Sequence, residues 1–140
     1  MKCNKLFCFL TIWLLIIGFN FVVADYPVTF TDAMGREITL DKPAETIGEQ
    51  NWGVAEALKI VGAWDKVVAK DGYISDPEFF PNVEKIPNIS PYNSNDLDYE
   101  KIIEISPDVM IIENRDYGKE TLNQDIEMLE PEVKVIVLEF

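Results

Sequence analysis

The sequence predicts an α/β fold, a doubly wound and mostly parallel sheet preceded by a β-hairpin. Its clearest βαβ pattern is Ile86 to Ile112, which reads as a short strand, a polar aromatic loop, a capped helix and a fully apolar strand. Asp98 occupies the N-cap position ahead of Tyr99, Ile102 and Ile103, whose spacing puts one apolar face on a short helix, and Pro107 ends it. Val109 to Ile112 is an uninterrupted apolar run, the pattern of a strand covered on both faces. Two further helix-then-strand patterns extend the sheet. Gly53 to Val61 carries Val54, Leu58 and Val61 on one face, with Gly62 just past its end, and leads into Val67 to Lys70. Lys119 to Glu130 carries Leu122, Ile126 and Leu129, is stopped by Pro131, and leads into Val133 to Leu138.

The first 24 residues read as a targeting segment. Lys2 and Lys5 precede the apolar run Leu6 to Ile17, and Val22-Val23-Ala24 is the small-residue pattern of a cleavage site before Asp25. A cleaved signal peptide is the expectation, with an N-terminal anchor as the alternative, since Leu6 to Ala24 approaches the ~20 apolar residues of a span. Both cysteines, Cys3 and Cys8, lie in this segment, in a pattern unlike a lipoprotein signal.

A chain starting at Asp25 would hold 116 residues, one domain's worth, without cysteine or histidine. Its stability would therefore rest on packing and not on disulfides. Removing Lys2 and Lys5 from the 12 basic residues leaves 10 against 25 acidic ones, a net charge of −15. That balance argues against nucleic acid as a partner. The absence of histidine and cysteine excludes a zinc site of the usual ligand types and a Ser-His or Cys-His nucleophile pair. Asp96, Asp98 and Glu100 begin like a calcium loop, but Lys101 and Pro107 stand where glycine and glutamate are needed. Neither a catalytic set nor a metal site is expected, and the chain reads as no enzyme.

Tyr26 to Leu40 alternates around a turn at Asp32-Ala33-Met34-Gly35, a hairpin in which Gly35 supplies positive φ. Four motifs from this point on resemble the substrate-binding proteins of iron-chelate and corrinoid (vitamin B12-type) ABC importers. Asp32-Ala33-Met34-Gly35-Arg36-Glu37-Ile38-Thr39-Leu40 is similar to the family's "D-x-x-G-R-x-V-x-L" opening. Lys42 to Ile47 stands where members carry a Pro-Pro-x-Arg-Ile-Val entry to the first core strand; Thr46 replaces the arginine, and the strand Thr46 to Glu49 is less apolar than usual. Leu58 to Val68 resembles "L-x-x-L-G-x-x-D-R-V-V-G", with Lys66 in place of arginine. Asp98 to Ile111 resembles "N-x-E-x-I-x-x-x-x-P-D-L-V-I".

The resemblance covers nearly all of the chain after residue 24 but about the first half of a family member. It implies the N-terminal lobe, residues 25–140, of a protein whose two α/β lobes hold ligand between them, with the linking helix and second lobe absent. The implied function is the extracytoplasmic, periplasmic or cell-surface, component of an importer for ferric chelates (siderophores) or corrinoids. Its partners would be an ABC permease, a small-molecule metal chelate and a separate second-lobe polypeptide. No cofactor is implied beyond that ligand. The alternative is a single-lobe interaction or sensory module outside the cytoplasm that does not transport.

Ligands of open α/β sheets bind beyond the carboxyl ends of the strands. Four loops qualify, and each carries an aromatic residue: Gln50-Asn51-Trp52, Asp71-Gly72-Tyr73, Ser90-Pro91-Tyr92-Asn93 and Asn114-Arg115-Asp116-Tyr117. Trp52, Tyr73, Tyr92, Arg115 and Tyr117 are the candidate ligand contacts: rings supply area to a flat, partly apolar chelate, and Arg115 suits an anionic oxygen through a two-pronged hydrogen bond. By resemblance, Tyr92 falls near the family's aromatic contact and Arg115 just past the "P-D-L-V-I" strand. Glu100 matches the glutamate of "N-x-E", which in the family bridges to a permease arginine; the helix dipole would favour a first-turn glutamate without any partner. Asn88-Ile89-Ser90 has the form of a glycosylation acceptor, followed at once by Pro91.

Overall fold

The computed structural model describes residues 25–91, 96–114, 119–130 and 132–139. The targeting segment 1–24 and the candidates Tyr92, Arg115 and Tyr117 lie outside them. The hairpin forms as the alternation requires: β1 (Val28–Thr31) runs antiparallel to β2 (Glu37–Leu40), with Val28 opposite Leu40 and Thr31 opposite Glu37. Its bend is held by Asp32, whose Oδ1 accepts from Met34 N at 2.9 Å and Arg36 N at 3.0 Å, while Gly35 takes φ +77°.

Four parallel strands make the main sheet: β3 (Ile47–Gln50), β4 (Val67–Ala69), β5 (Val109–Glu113) and β6 (Lys134–Leu138), in spatial order β4-β3-β5-β6. The chain moves outward from β3 to β4, then crosses back to β5 on the other side. The order therefore reverses beside β3, and the carboxyl ends of β3 and β5 flank the switch point where open α/β sheets place their ligands.

Alternation along the strands builds a core on each face. Val109 of β5 and Ile136 of β6 join Ile47, Val67 and the buried face of α1 (Trp52–Ile60), namely Val54, Ala55 and Leu58. Met110 and Ile112 with Val135 and Val137 point the other way, against Ile102 of α2 (Tyr99–Ile105) and Leu122, Ile126 and Leu129 of α3 (Lys119–Leu129). The apolar run of β5 is thus covered on both sides, as its sequence requires. The hairpin adds Ile38, Phe30 and Leu40 to the α1 face. Its turn also closes the free edge of β6: Ala33 N donates to Val137 O at 2.9 Å, and Arg36 spans from Asp32 Oδ2 at 2.7 Å to Val135 O at 2.9 Å. A covered edge removes a template for pairing with other chains.

The predicted ends of α2 hold. Asp98 Oδ1 accepts from Lys101 N at 3.1 Å, Ser106 turns left-handed and Pro107 follows. Asn51, not Gly53, sets the start of α1, through Oδ1 accepting from Gly53 N at 2.6 Å. The Pro-Asp pair before β5 has a local task. Asp108 carboxylate oxygens accept from Lys42 Nζ at 2.9 Å, Glu45 N at 2.8 Å and Thr46 N at 3.1 Å, and Thr46 Oγ1 accepts from Asp108 N at 2.9 Å. These bonds tie the amino ends of β3 and β5 together. Thr46, in the position of the family's arginine, is thereby committed to the clamp, and β3 begins one residue later than expected.

The short strand expected at Ile86 is corrected. That region forms a 3₁₀ turn at Val83–Lys85 and then a single parallel bridge, Lys70 to Asn88, made by Lys70 N to Pro87 O at 3.0 Å and Ile89 N to Lys70 O at 2.9 Å. Pro87 offers the ladder no N–H, so pairing stops at one bridge. Among the described residues, no helix is long and apolar enough to cross a membrane.

Candidate functional site

Three connections converge at the carboxyl edge of β3 and β4, and they enclose a set of buried polar side chains: Glu49, Asn51, Lys70, Asp71 and Ser90. Glu49 lies at the centre and is 0 % exposed. Its Oε1 accepts from Asp71 N at 3.1 Å, which ties the end of β3 to the loop after β4, while Oε2 has no hydrogen-bond partner among the described residues. Burial pushes this carboxyl up to about 8; the Asp71 amide and the Lys70 charge pull against that, and the Asp71 charge adds to it. The shift favours the neutral, protonated carboxyl at physiological pH. Burial likewise lowers Lys70, against the opposing influence of Glu49 and Asp71, and its ammonium bonds Asn88 Oδ1. That bond occupies the side-chain oxygen of the glycosylation-type asparagine, and Ser90 beside it is buried.

The remaining polar groups of this edge are used to shape it. Asn51 caps α1 from a strained backbone at φ +123°, a conformation costing on the order of 1–3 kcal/mol that the packed surroundings must impose. Asp71 Oδ1 accepts from Tyr73 N at 2.7 Å, Ser90 Oγ accepts from Gly72 N at 3.3 Å, and Asp76 Oδ1 accepts from Glu78 N at 2.9 Å. These bonds fix the turns of the loops that carry Tyr73 and Phe79.

Trp52 is 39 % exposed, Tyr73 42 % and Phe79 37 %. Trp52 and Tyr73 rise from adjacent strand ends joined by the Glu49–Asp71 bond. Phe79 was not among the sequence candidates, yet its ring stacks on Trp52 with centroids 6.0 Å apart and planes 22° apart. Phe80 beneath is fully buried, edge-on to Trp52 at 5.2 Å and to Phe79 at 4.8 Å, and touches Trp64 at 4.6 Å. Lys59 places its ammonium 3.5 Å from the Phe79 ring centroid and bonds the Phe79 carbonyl. The signal in the sequence is the Phe79-Phe80 doublet in a loop: one ring of such a pair can enter the core while the other stays at the surface.

Glu100 is exposed on the outer side of α2, with Glu104 one turn on and Ile103 partly exposed between them. The opposite side of α2 is fixed to α3 by Tyr99 Oη donating to Asp125 Oδ1 at 2.7 Å. Among the described residues no group of three or more metal-ligating side chains converges.

A family model for periplasmic binding proteins matches residues 50–140, from the end of β3 onward. The chain belongs to the periplasmic binding protein family. Solved binding proteins share its fold. PiuA, an iron uptake ABC transporter substrate-binding protein from Streptococcus pneumoniae, is 18 % identical with TM-score 0.63, over 83 % of this chain and 38 % of its own. The heme binding protein HmuT is 17 % identical with TM-score 0.62, over 86 % of this chain and 37 % of its own. A siderophore periplasmic binding protein from Thermobifida fusca is 21 % identical with TM-score 0.57, over 69 % of this chain and 35 % of its own. This periplasmic binding protein chain thus spans well under half the length of those relatives, and its single α/β unit corresponds to part of each. A search of curated sequences finds no significant match.

Proposed function

We propose that this chain is the N-terminal lobe of the extracytoplasmic substrate-binding component of an ABC importer for ferric chelates or corrinoids. The observation that carries it is the family match across residues 50–140 together with Trp52 and Tyr73, exposed just beyond the carboxyl ends of β3 and β4. Iron, heme and siderophore ligands in the names of the structural relatives support the ligand class. Trp52 and Tyr73 would cover part of a flat ligand, with Tyr92, Arg115 and Tyr117 contributing from the neighbouring loops. Capture is by shape and contact, without bond chemistry. Glu100 would then orient the loaded protein on a permease through a rim ion pair, which governs association more than final affinity. A second lobe, in the same or a separate polypeptide, would bury the open side of the ligand.

Equilibrium binding of the full chain to four probes tests this: haemin, ferric tris(2,3-dihydroxybenzoate), ferrioxamine B and cyanocobalamin. Saturable binding of one or more supports the proposal and separates iron chelate from corrinoid. Failure of all four, with the fold intact by circular dichroism, overturns it in favour of a single-lobe interaction module.

A further inference from the structure

We infer that Lys70 is a proton-switched arm at the carboxyl edge of β3 and β4, bonding Asn88 while Glu49 is neutral and swinging to Glu49 Oε2 when Glu49 ionises. The swing leaves this edge firm in neutral and acidic solution and loosens it in alkali. The switch is a property of the chain itself and needs no ligand.

The geometry sets two acceptors around one ammonium. Lys70 is 4 % exposed; its Nζ bonds Asn88 Oδ1 and lies 3.5 Å from the Asp71 carbonyl oxygen. Glu49 holds Asp71 N through Oε1, while its fully buried Oε2 has no partner among the described residues. A neutral acid tolerates that arrangement far better than a charged one, because a buried ion without a partner is heavily penalised. Burial and the Asp71 charge oppose ionisation; the Asp71 and Asn51 amides and the Lys70 charge favour it. The other elements packed on Glu49 bring no closer relief. β5 sets apolar Ile111 opposite it, with Glu113 two positions on, and α1 turns Val54, Ala55 and Leu58 inward while its Lys59 is held at the Phe79 carbonyl. Once the Glu49 proton passes to solvent, Lys70 is therefore the group drawn to Oε2.

The place Lys70 leaves is the anchor of a short bridge. Residues 87–90 join β4 through Lys70 N donating to Pro87 O at 3.0 Å, Ile89 N donating to Lys70 O at 2.9 Å, and the Lys70 ammonium on Asn88. Ser90 then accepts from Gly72 N at 3.3 Å, in the loop that carries Tyr73. Withdrawing the ammonium removes the side-chain part of this bridge and returns the Asn88 oxygen to water.

An NMR pH titration of the full chain, from about pH 5 to about pH 9.5, tests the switch in wild type, Glu49→Gln and Lys70→Met. It follows the Glu49 carboxyl carbon, the Asn88 side-chain amide and exchange of the Ile89 amide. In wild type the Asn88 amide should shift with the same midpoint as Glu49, near pH 8. In Glu49→Gln the Asn88 amide should stay flat, and at the alkaline end Ile89 should exchange at least about threefold more slowly than in wild type. Lys70→Met removes the attracting charge and should raise the Glu49 midpoint by at least about one pH unit. A Glu49 titration that leaves the Asn88 amide unmoved overturns the inference, since the acid then ionises without recruiting Lys70. It also falls if Glu49 is already ionised at the acidic end, if Glu49 stays protonated throughout, or if the Asn88 shift persists in Glu49→Gln. Wild type alone distinguishes most of these outcomes, so a variant that loses its circular dichroism signal does not remove the test. None of them bears on chelate binding, which the four-probe assay decides separately.

Discussion

Replacing Glu49 by glutamine should make the fold nearly insensitive to a pH change that weakens the wild-type chain. Glu49 ionises at an ordinary value of 4.5 when unfolded and at about 8 in the fold. Below pH 4.5 both states hold the proton and the shift has no effect. Between those values the unfolded chain ionises while the folded one keeps its proton, so stability falls by about 1.4 kcal/mol per pH unit. Above pH 8 both are ionised and the loss stops growing. Over the whole window the loss is about 5 kcal/mol, of which about 3 kcal/mol is reached by pH 7. Those are large fractions of the roughly 5–15 kcal/mol that hold a domain folded.

Glutamine keeps the shape and the acceptor that holds Asp71 N, and cannot ionise. Urea unfolding of both proteins at pH 5 and pH 8.5 should show near-equal stability at the lower pH. At the higher pH the variant should be more stable by about 4 kcal/mol, a midpoint difference on the order of 2 M urea. A wild-type to variant difference that stays within about 1 kcal/mol at both pH values would refute the reasoning. It would mean that Glu49 is ionised in the fold and neutralised by Lys70. Because Glu49 fastens the loop carrying Tyr73, the same titration should raise amide exchange at Tyr73 above pH 8.

Other substitutions have narrower consequences. Bonds from Lys42 and the Glu45 and Thr46 amides, against a small opposing burial effect, pull Asp108 from 3.8 down to about 2. Its contribution is fully present above pH 4 and lost as pH falls toward 2, so Asp108→Asn should flatten the acid limb of a thermal-melt profile in that window. At neutral pH the same variant should cost about 1–2 kcal/mol by urea unfolding, from weakened charge-assisted bonds. Tyr99→Phe leaves the buried Asp125 without its donor and should cost about 1–3 kcal/mol, read in the same assay. Gly48→Val would bring a Cβ within 2.6 Å of Met110 Sδ and 3.4 Å of Pro107; overpacking of about 1–3 kcal/mol should appear as a lowered melting temperature. Glu100→Lys should leave the melting temperature within a few degrees, since its side chain is exposed, and under the proposed docking role should weaken association with a permease.

The features legible from sequence are those written in local spacing. Asp98 and Pro107 bracket α2 because capping and ring closure act within one turn, and Val109 to Ile112 declares two-sided burial because no polar residue interrupts it. The hairpin could be read from Gly35, since its left-handed backbone is a local demand. The strand at Ile86 was over-read: its apolar residues fit a strand, but Pro87 removes a donor at the position that would have continued the ladder. The site was legible in part. Trp52 and Tyr73 follow from the rule that ligands gather at carboxyl strand ends, which needs only the order of elements. Glu49 does not, because a glutamate in a strand reads as a solvent-facing residue, and its burial depends on the loop after β4 returning to it, where Asp71 N meets its carboxyl. Phe79 depends in turn on a loop more than 25 residues downstream of Trp52 folding back across α1, and on Lys59 meeting it there. A buried acid and a surface ring are therefore two results of one event, the closure of the segment from Asp71 to Val83 over the end of β3. If that closure is a unit, Glu49→Gln should slow proton exchange in this segment at high pH while Phe79→Leu should speed it. Opposite signs at two residues without a direct bond between them would show that the edge carrying Trp52 and Tyr73 is set by the packing beneath it.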